Sequence, residues 1–456
     1  MNADRREVHH ALLVDLYELT MANAYRREAM VDQTATFSLF VRTLPPGRGF
    51  LVSAGLDDAL SWLEDLSFAD DELAAVERLA LFDSDFLDWL AELHFTGRVR
   101  AVPEGTLVFA HEPILEVDAP LGQAQLAETF LLNQITLQTM LATKAARCRQ
   151  AAGGRAVVDF ALRRTQGIDA GMKLARVCRL TGLAATSNVA GADRYGLPAS
   201  GTMAHSFIQA HRDEAEAFRA YARASGPAAV LLVDTYDTRR GVDRAIQVAI
   251  ELREQGGGIS GIRLDSGDLG HLARYARARL DEAGLGQVRI LASGGLDEHE
   301  IHRLVQVENA PIDGFGVGSA LGVSADAPSL DSVYKLVAHD GRPVLKTSPG
   351  KAIWPGAKQV WRSSDWSADT LALAEELAPG ATDLPLLVEV MDQGERTSAG
   401  RCSLSEANEH FEHQWASLPE ALSHLSPSTS HPVEISPRLR QLADDLRIEH
   451  QGKDGA

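Results

Sequence analysis

Between residues 156 and 318 the chain keeps returning to one pattern: a short β-forming run, a polar or glycine-rich turn, and in most cases an amphipathic helix. The runs are 156–162 (AVVDFAL), 184–188 (AATSN), 198–202 (PASGT), 229–234 (AVLLVD), 261–265 (GIRLD), 288–293 (VRILAS) and 312–318 (IDGFGVG). Helical spacing of apolar residues fills about 170–181, 213–224, 239–255, 269–283 and 297–306. A strand that alternates with a helix pairs in parallel, because the helix carries the chain back along the sheet. Seven such runs fit an α/β barrel better than an open doubly wound sheet, although spacing alone leaves both possible. Upstream, 124–147 (AQLAETFLLNQITLQTMLATKAAR) predicts one long helix or two in succession. After Leu336 the rhythm stops: strands and turns are expected to Arg362, and a loop-like tail with one late helix from Pro419.

In parallel α/β folds ligands bind at the carboxyl ends of the strands, so the residues closing each run carry most weight. They are Arg163 and Arg164; Ser187 and Asn188; the turn from Thr202 to His205; Asp234 and Asp237; Arg263 and Asp265; Ser293, Gly294 and Gly295; and Gly316, Gly318 and Ser319. Glycine turns let backbone N–H groups approach a phosphate. Arginine offers a planar fork for phosphate or carboxylate. Asp234 and Asp265 end β-runs and suit Mg²⁺, which takes one or two carboxylates beside substrate phosphates. Asp237 and Asp268 precede helices and are expected to cap them. His205 is a candidate nucleophile or acid–base group. No lysine occurs between Lys173 and Lys335, which argues against a Schiff-base aldolase on this sheet.

Other classes are excluded by composition. The formal charge of −19 over 456 residues is the reverse of a nucleic-acid binder's basic excess. No apolar run approaches the roughly 18 residues that span a bilayer. The first residues, MNADRREVHHALLVDLYELT, lack the apolar core of a secretory signal, so a cytoplasmic protein is expected. Cys148, Cys178 and Cys402 share no metal-ligand spacing and fit reduced thiols.

Several segments together resemble the nicotinate phosphoribosyltransferase family: LLVDLYELTMANAY (12–25), LPPGRGFLVSAGLDDAL (44–60), LAETFLLNQITLQTMLATKAAR (126–147), DFALRRTQG (159–167), ATSNVAGADRYGLPASGTMAHSF (185–207), DTYDT (234–238), IRLDSGD (262–268), GFGVGS and LDSVYKLV (330–337). The resemblance implies an α/β protein with an irregular α/β barrel of the type II phosphoribosyltransferase kind, and an N-terminal α/β domain completed by the C-terminal segment. Boundaries are expected at 1–130, 131–335 and 336–456. It further implies a homodimer with active sites at the subunit interface. The substrates would be nicotinate and phosphoribosyl pyrophosphate, with Mg²⁺ and with ATP as co-substrate.

Residue by residue, Tyr17 resembles the aromatic that stacks on the pyridine from the neighbouring subunit, and Phe160 the residue on the ring's other face. Arg163 and Arg263 resemble contacts to phosphoribosyl pyrophosphate and nicotinate. Asp265 resembles the carboxylate near ribose and metal, with Asp234 beside it. Gly294, Gly295, Gly316 and Gly318 resemble the cradle of the 5-phosphate, and His205 the histidine that ATP phosphorylates. Ser187 stands where nicotinamide-specific relatives carry an aspartate, which would repel a carboxylate, so nicotinate is favoured. The alternatives are a nicotinamide or quinolinate phosphoribosyltransferase, a non-catalytic phosphate-ligand sensor, and a flavin-phosphate barrel oxidoreductase.

Overall fold

The computed structural model describes residues 10–346, 353–426 and 430–453. The charged start of the chain, 1–9, and part of the expected strand-and-turn segment, 347–352, lie outside them. The chain divides into two compact units, one made of 1–140 with 329–456 and the other of 141–328.

The first unit is built on a seven-stranded sheet in the order Arg342–Pro343, Ser332–His339, Thr34–Val41, Pro113–Pro120, Arg98–Ala101, Val388–Asp392, Glu395–Arg396. Thr34–Val41 (TATFSLFV) is buried on both faces after its first residue, as its apolar content requires. It pairs antiparallel with Ser332–His339, and Phe37 stacks on Tyr334 with ring centroids 4.8 Å apart. Val388–Asp392 pairs in the same way with Arg98–Ala101. Strands from the far end of the chain thus complete the sheet begun by the first 120 residues. A smaller sheet joins Leu384–Pro385, Lys358–Arg362, Asp369–Leu373 and Val433–Ile435. The tail is therefore more ordered than its sequence suggests. Besides the late helix, Pro437–Lys453, it holds the Glu420–Ser423 helical turn and a strand that pairs parallel with Asp369–Leu373.

The 124–147 stretch resolves into two helices in succession, Leu121–Leu126 and Glu128–Ala151. The second unit is a six-stranded parallel sheet in the order Ala185–Thr186, Ala156–Asp159, Gly314–Val317, Arg289–Ser293, Gly261–Leu264, Val230–Leu232. On one face Val157, Leu231, Ile262, Ile290 and Phe315 are fully buried. The opposite face carries Val158, Val230, Arg263 and Leu291, which are half-buried.

Six of the seven expected runs form strands. The exception, 198–202, makes a single parallel bridge between Thr186 and Ala199. Pro198 has no N–H to donate, and a Pro-Ala-Ser-Gly run has little β-preference. This segment adds no full strand at the Ala185–Thr186 edge of the sheet, and it passes the chain on to His205 as a loop.

Helices of this unit start where the sequence predicts. Asp237 caps Thr238–Glu254, accepting from the Arg240 N–H at 2.9 Å, and Asp268 caps Leu269–Glu282 through the His271 N–H at 3.0 Å. Asp213 and Asp297 do the same for the helices that follow them. Each such cap contributes about 1 kcal/mol and fixes where a strand-end loop stops.

Candidate active site

The carboxyl ends of the parallel strands face a pair of adjoining cavities, of about 400 and 390 Å³. Phe160, Arg163 and Asp265 line both. The first adds Arg164, Gly294, Gly295, Gly316 and Gly318; the second adds Ser187, Thr202, His205 and Arg263. Of the barrel residues that the family resemblance singles out, all except Asp234 therefore line one compact space, and Asp234 accepts from the backbone N–H of the lining Asp265; the strand-end residues Asn188 and Asp237 do not line it. Tyr17 belongs to the Leu16–Arg27 helix of the first unit and is not among the lining residues.

Each side chain is placed by the local fold. At the end of Ala156–Asp159, the buried Asp159 carboxylate accepts from Thr186 Oγ1 at 2.6 Å and from the Ala161 N–H at 2.7 Å. Burial pushes its pKa up, against those two bonds. The anchored turn delivers Phe160 onto Gly316, where even a Cβ would come within 2.4 Å of the ring. It also projects Arg163 and Arg164 outward. Both guanidinium groups are exposed and make no hydrogen bond or ion pair among the described residues.

Gly294 follows the Arg289–Ser293 strand with φ +85°, and a Cβ there would lie 1.8 Å from the Asp265 carbonyl oxygen. Only glycine fits. Gly295, at φ +65°, faces open space. The bend therefore presents bare backbone to the cavity, beside the Gly316–Gly318 turn on the neighbouring strand.

In the second cavity, Arg263 donates to Thr202 Oγ1 at 2.6 Å and to the Met203 carbonyl at 3.0 Å, while its Nε is buried without a partner. Its guanidinium carbon lies 5.9 Å from the Phe160 ring centre. Burial lowers its pKa, and Asp265 and Asp234 oppose that. An arginine stays charged through such a shift. His205 opens the short His205–Gln209 helix. Its Nδ1 lies 3.1 Å from Thr235 Oγ1, and its Nε2 faces Asp265 Oδ2 at 3.7 Å, beyond hydrogen-bond reach. The Ser187 backbone N–H donates to the Asp159 carbonyl at 2.8 Å.

The two acids are tied together. Asp265 accepts a short hydrogen bond from Ser293 Oγ. Asp234 Oδ2 accepts from Ser266 Oγ at 2.5 Å and from the Asp265 N–H at 3.2 Å, and its Oδ1 is buried without a partner. A buried carboxylate oxygen with no donor suits a cation or a water held by one. No group of three or more His, Cys, Asp or Glu side chains converges among the described residues, so a cation here would complete its shell from substrate oxygens.

Sequence reasoning did not single out Asp159, Thr186, Thr235 or Ser266, and gave Thr202 only as the start of a turn. These are the side chains that hold the others in place. Their signal was adjacency: each sits beside a flagged residue in a motif. Neutral hydroxyls carry no charge pattern that would mark them out.

Comparison with known proteins agrees across the chain. Residues 12–136 match the nicotinate phosphoribosyltransferase N-terminal domain, and residues 156–356 match the nicotinate phosphoribosyltransferase family. The chain is 49% identical over 444 residues to a nicotinate phosphoribosyltransferase of Mycobacterium tuberculosis, covering 96% of this chain and 94% of the relative. It is 43% identical over 378 residues to that of Bacillus subtilis, covering 80% of this chain and 76% of the relative. Its fold is similar to the crystal structure of the human nicotinic acid phosphoribosyltransferase, with TM-score 0.83 at 30% identity over 95% of this chain and 100% of the other. Among the described residues no helix is long and apolar enough to cross a membrane.

Proposed function

The chain belongs to the nicotinate phosphoribosyltransferase family and joins nicotinate to phosphoribosyl pyrophosphate, and on that premise we propose how its residues divide the work and that ATP is coupled to it. The observation that carries the reading is the pair of cavities sharing Phe160, Arg163 and Asp265. One has backbone and arginine for a sugar phosphate; the other has arginine, serine and an aromatic face for a pyridine carboxylate.

The pyridine nitrogen has a free lone pair, so the attack on C1 of the ribose needs no general base. The C1–O bond to diphosphate breaks as the C1–N bond forms, and the electron pair leaves with pyrophosphate. Gly294, Gly295, Gly316 and Gly318 receive the 5-phosphate through backbone N–H groups. Arg163, unpaired and exposed, is free to contact the diphosphate or the nicotinate. Arg263 meets the nicotinate carboxylate beside Phe160. Together they fix the ring in line with C1, which removes the entropic part of the barrier. A Mg²⁺ held by Asp265 and Asp234 would neutralise charge on the leaving diphosphate. Ser187 leaves the carboxylate unopposed, where an acid would repel it. Tyr17 of the partner subunit closes the other face of the ring in a homodimer.

His205 takes the γ-phosphoryl group of ATP. With Thr235 Oγ1 accepting from Nδ1–H, the lone pair stays on Nε2, which has no hydrogen bond and belongs to a partly exposed side chain. The Pγ–O bond breaks, the N–P bond forms and ADP leaves. About two negative charges then stand beside Asp265 and Arg263 and redistribute the guanidinium contacts. Hydrolysis of the phosphohistidine resets the site.

His205→Ala is expected to keep the fold and basal nicotinate turnover while losing all stimulation by ATP. The test is transfer of γ-phosphate label from ATP to protein. Label on wild type and none on the variant supports the assignment; equal label on both rejects it.

A further inference from the structure

The last turns of the Glu128–Ala151 helix carry two cations that the reaction does not use. Lys144 and Arg147 are each 1% exposed, and both meet Glu298, which is 0% exposed in the first turn of Glu298–His302. Arg147 Nε donates to Glu298 Oε1 at 2.9 Å. Lys144 Nζ ion-pairs with Glu298 and also donates to Asp326 Oδ1 at 2.6 Å. Burial works against the Glu298 carboxylate, but Lys144 and Arg147 outweigh it and hold its pKa low.

The two acids follow closely in the chain on two segments that line the first cavity. Gly294, Gly295 and Leu296 line the first cavity, and Glu298 is two residues further on. Ser319, Ala320 and Ala325 line it too, and Asp326 is the next residue. The second segment is also strained. Ser324 is buried and takes φ +45° without being glycine, a conformation that persists only where its surroundings impose it. A buried cation adds little net stability over apolar packing of the same volume. Bridging acids on two separate loops, it does fix the distance between them.

We propose that Lys144 is a positioning residue for phosphoribosyl pyrophosphate: by joining Glu298 to Asp326 it fixes the segments that follow the two glycine turns and that line the phosphate cavity with them. The proposal rests on assigning the first cavity to that phosphate. A cradle of backbone N–H groups has no side chains that could adjust, so an error in loop spacing passes straight to the ligand.

The test is steady-state kinetics of the full chain, with phosphoribosyl pyrophosphate and nicotinate varied separately and the melting temperature recorded. Lys144→Met is expected to raise KM for phosphoribosyl pyrophosphate about tenfold or more and to leave KM for nicotinate within about twofold. Asp326→Asn, at a partly exposed acid, shows the same split more weakly with an unchanged melting temperature, and Lys144→Arg recovers part of the loss. Equal rises in both KM values, or a loss of kcat and melting temperature with KM for phosphoribosyl pyrophosphate unmoved, overturn the proposal. If Lys144→Met does not fold, an unaltered KM in folded Asp326→Asn overturns it just as well. Arg164→Ala separates the underlying assignment, because Arg164 lines only the phosphate cavity. A raised KM there beside an inert Lys144→Met sinks the positioning role alone; no change in either variant sinks the cavity's assignment too.

Discussion

Two arginines show how the units of this molecule differ. Arg362, in the first unit, is 4% exposed and has its donors engaged. It gives hydrogen bonds to both oxygens of Asp369, to the Leu107 carbonyl at 2.7 Å and to Gln414 at 3.2 Å. Around it, burial and the nearby Asp369 push the Glu112 carboxyl well above its ordinary range, against Arg362. Burial also works against the Asp369 carboxylate, but His431 and Arg362 outweigh it and hold it below its usual range. Arg263, in the second unit, gives two bonds to one loop and leaves Nε without a partner, while Arg163 and Arg164 give none. Where polar groups satisfy one another, they hold a fold together. Where they are left incomplete at the mouth of a cavity, they await a ligand.

This contrast can be broken by substitution. Arg362→Ala should have the largest effect on stability, leaving Asp369 buried without its main cation at a cost of about 3–5 kcal/mol. Thermal melts check it. Arg263→Ala should instead lower kcat/KM by about 10²–10³-fold, as for loss of one positioned charged donor, with little change in melting temperature. If Arg263→Ala melts as early as Arg362→Ala, the distinction between the two arginines fails. Ser187→Asp should lower kcat/KM for nicotinate by about tenfold, because one close like charge near a surface is worth about 1–4 kcal/mol, and should improve the relative use of nicotinamide. Competition between the two acceptors in one assay measures it.

The smallest effect belongs to Glu18. It is fully buried, and its carboxyl is pushed up to about 8 by burial, with Glu128 and Asp15 adding to this and Thr129 opposing. A carboxyl whose folded pKa is raised stabilises the fold most below its ordinary value, and that contribution is lost as pH climbs to about 8. Wild type should therefore lose melting temperature between pH 6 and 9, and Glu18→Gln should lose about 2 °C less over that range. A variant that tracks wild type across the range would place Glu18 outside the titration.

The same contrast explains what the sequence revealed. Alternation of β-runs and helices exposed the parallel unit, because the strands there are followed by covering helices, four of which open on a recognisable Asp cap at Asp213, Asp237, Asp268 or Asp297. The strand-end residues were legible for the same reason: the topology puts them all on one edge. The first unit was harder to read. Val388–Asp392 finds its partner in Arg98–Ala101, nearly 300 residues earlier, and no local pattern announces such a pairing. The 198–202 run reads as a strand in sequence because a proline-led loop between two short helices, Val189–Tyr195 and His205–Gln209, resembles a short strand in hydropathy alone. Thr235 and Lys144 carry no such mark because their importance lies in contacts made across the fold.

The most direct measurement is formation of nicotinate mononucleotide and pyrophosphate from nicotinate and phosphoribosyl pyrophosphate by the purified chain, with and without ATP. The expected result is product in both cases and more of it with ATP, with none of the ATP gain in His205→Ala. Product formation that ATP leaves unchanged would contradict the role given to His205, and no product from nicotinate would contradict the site itself.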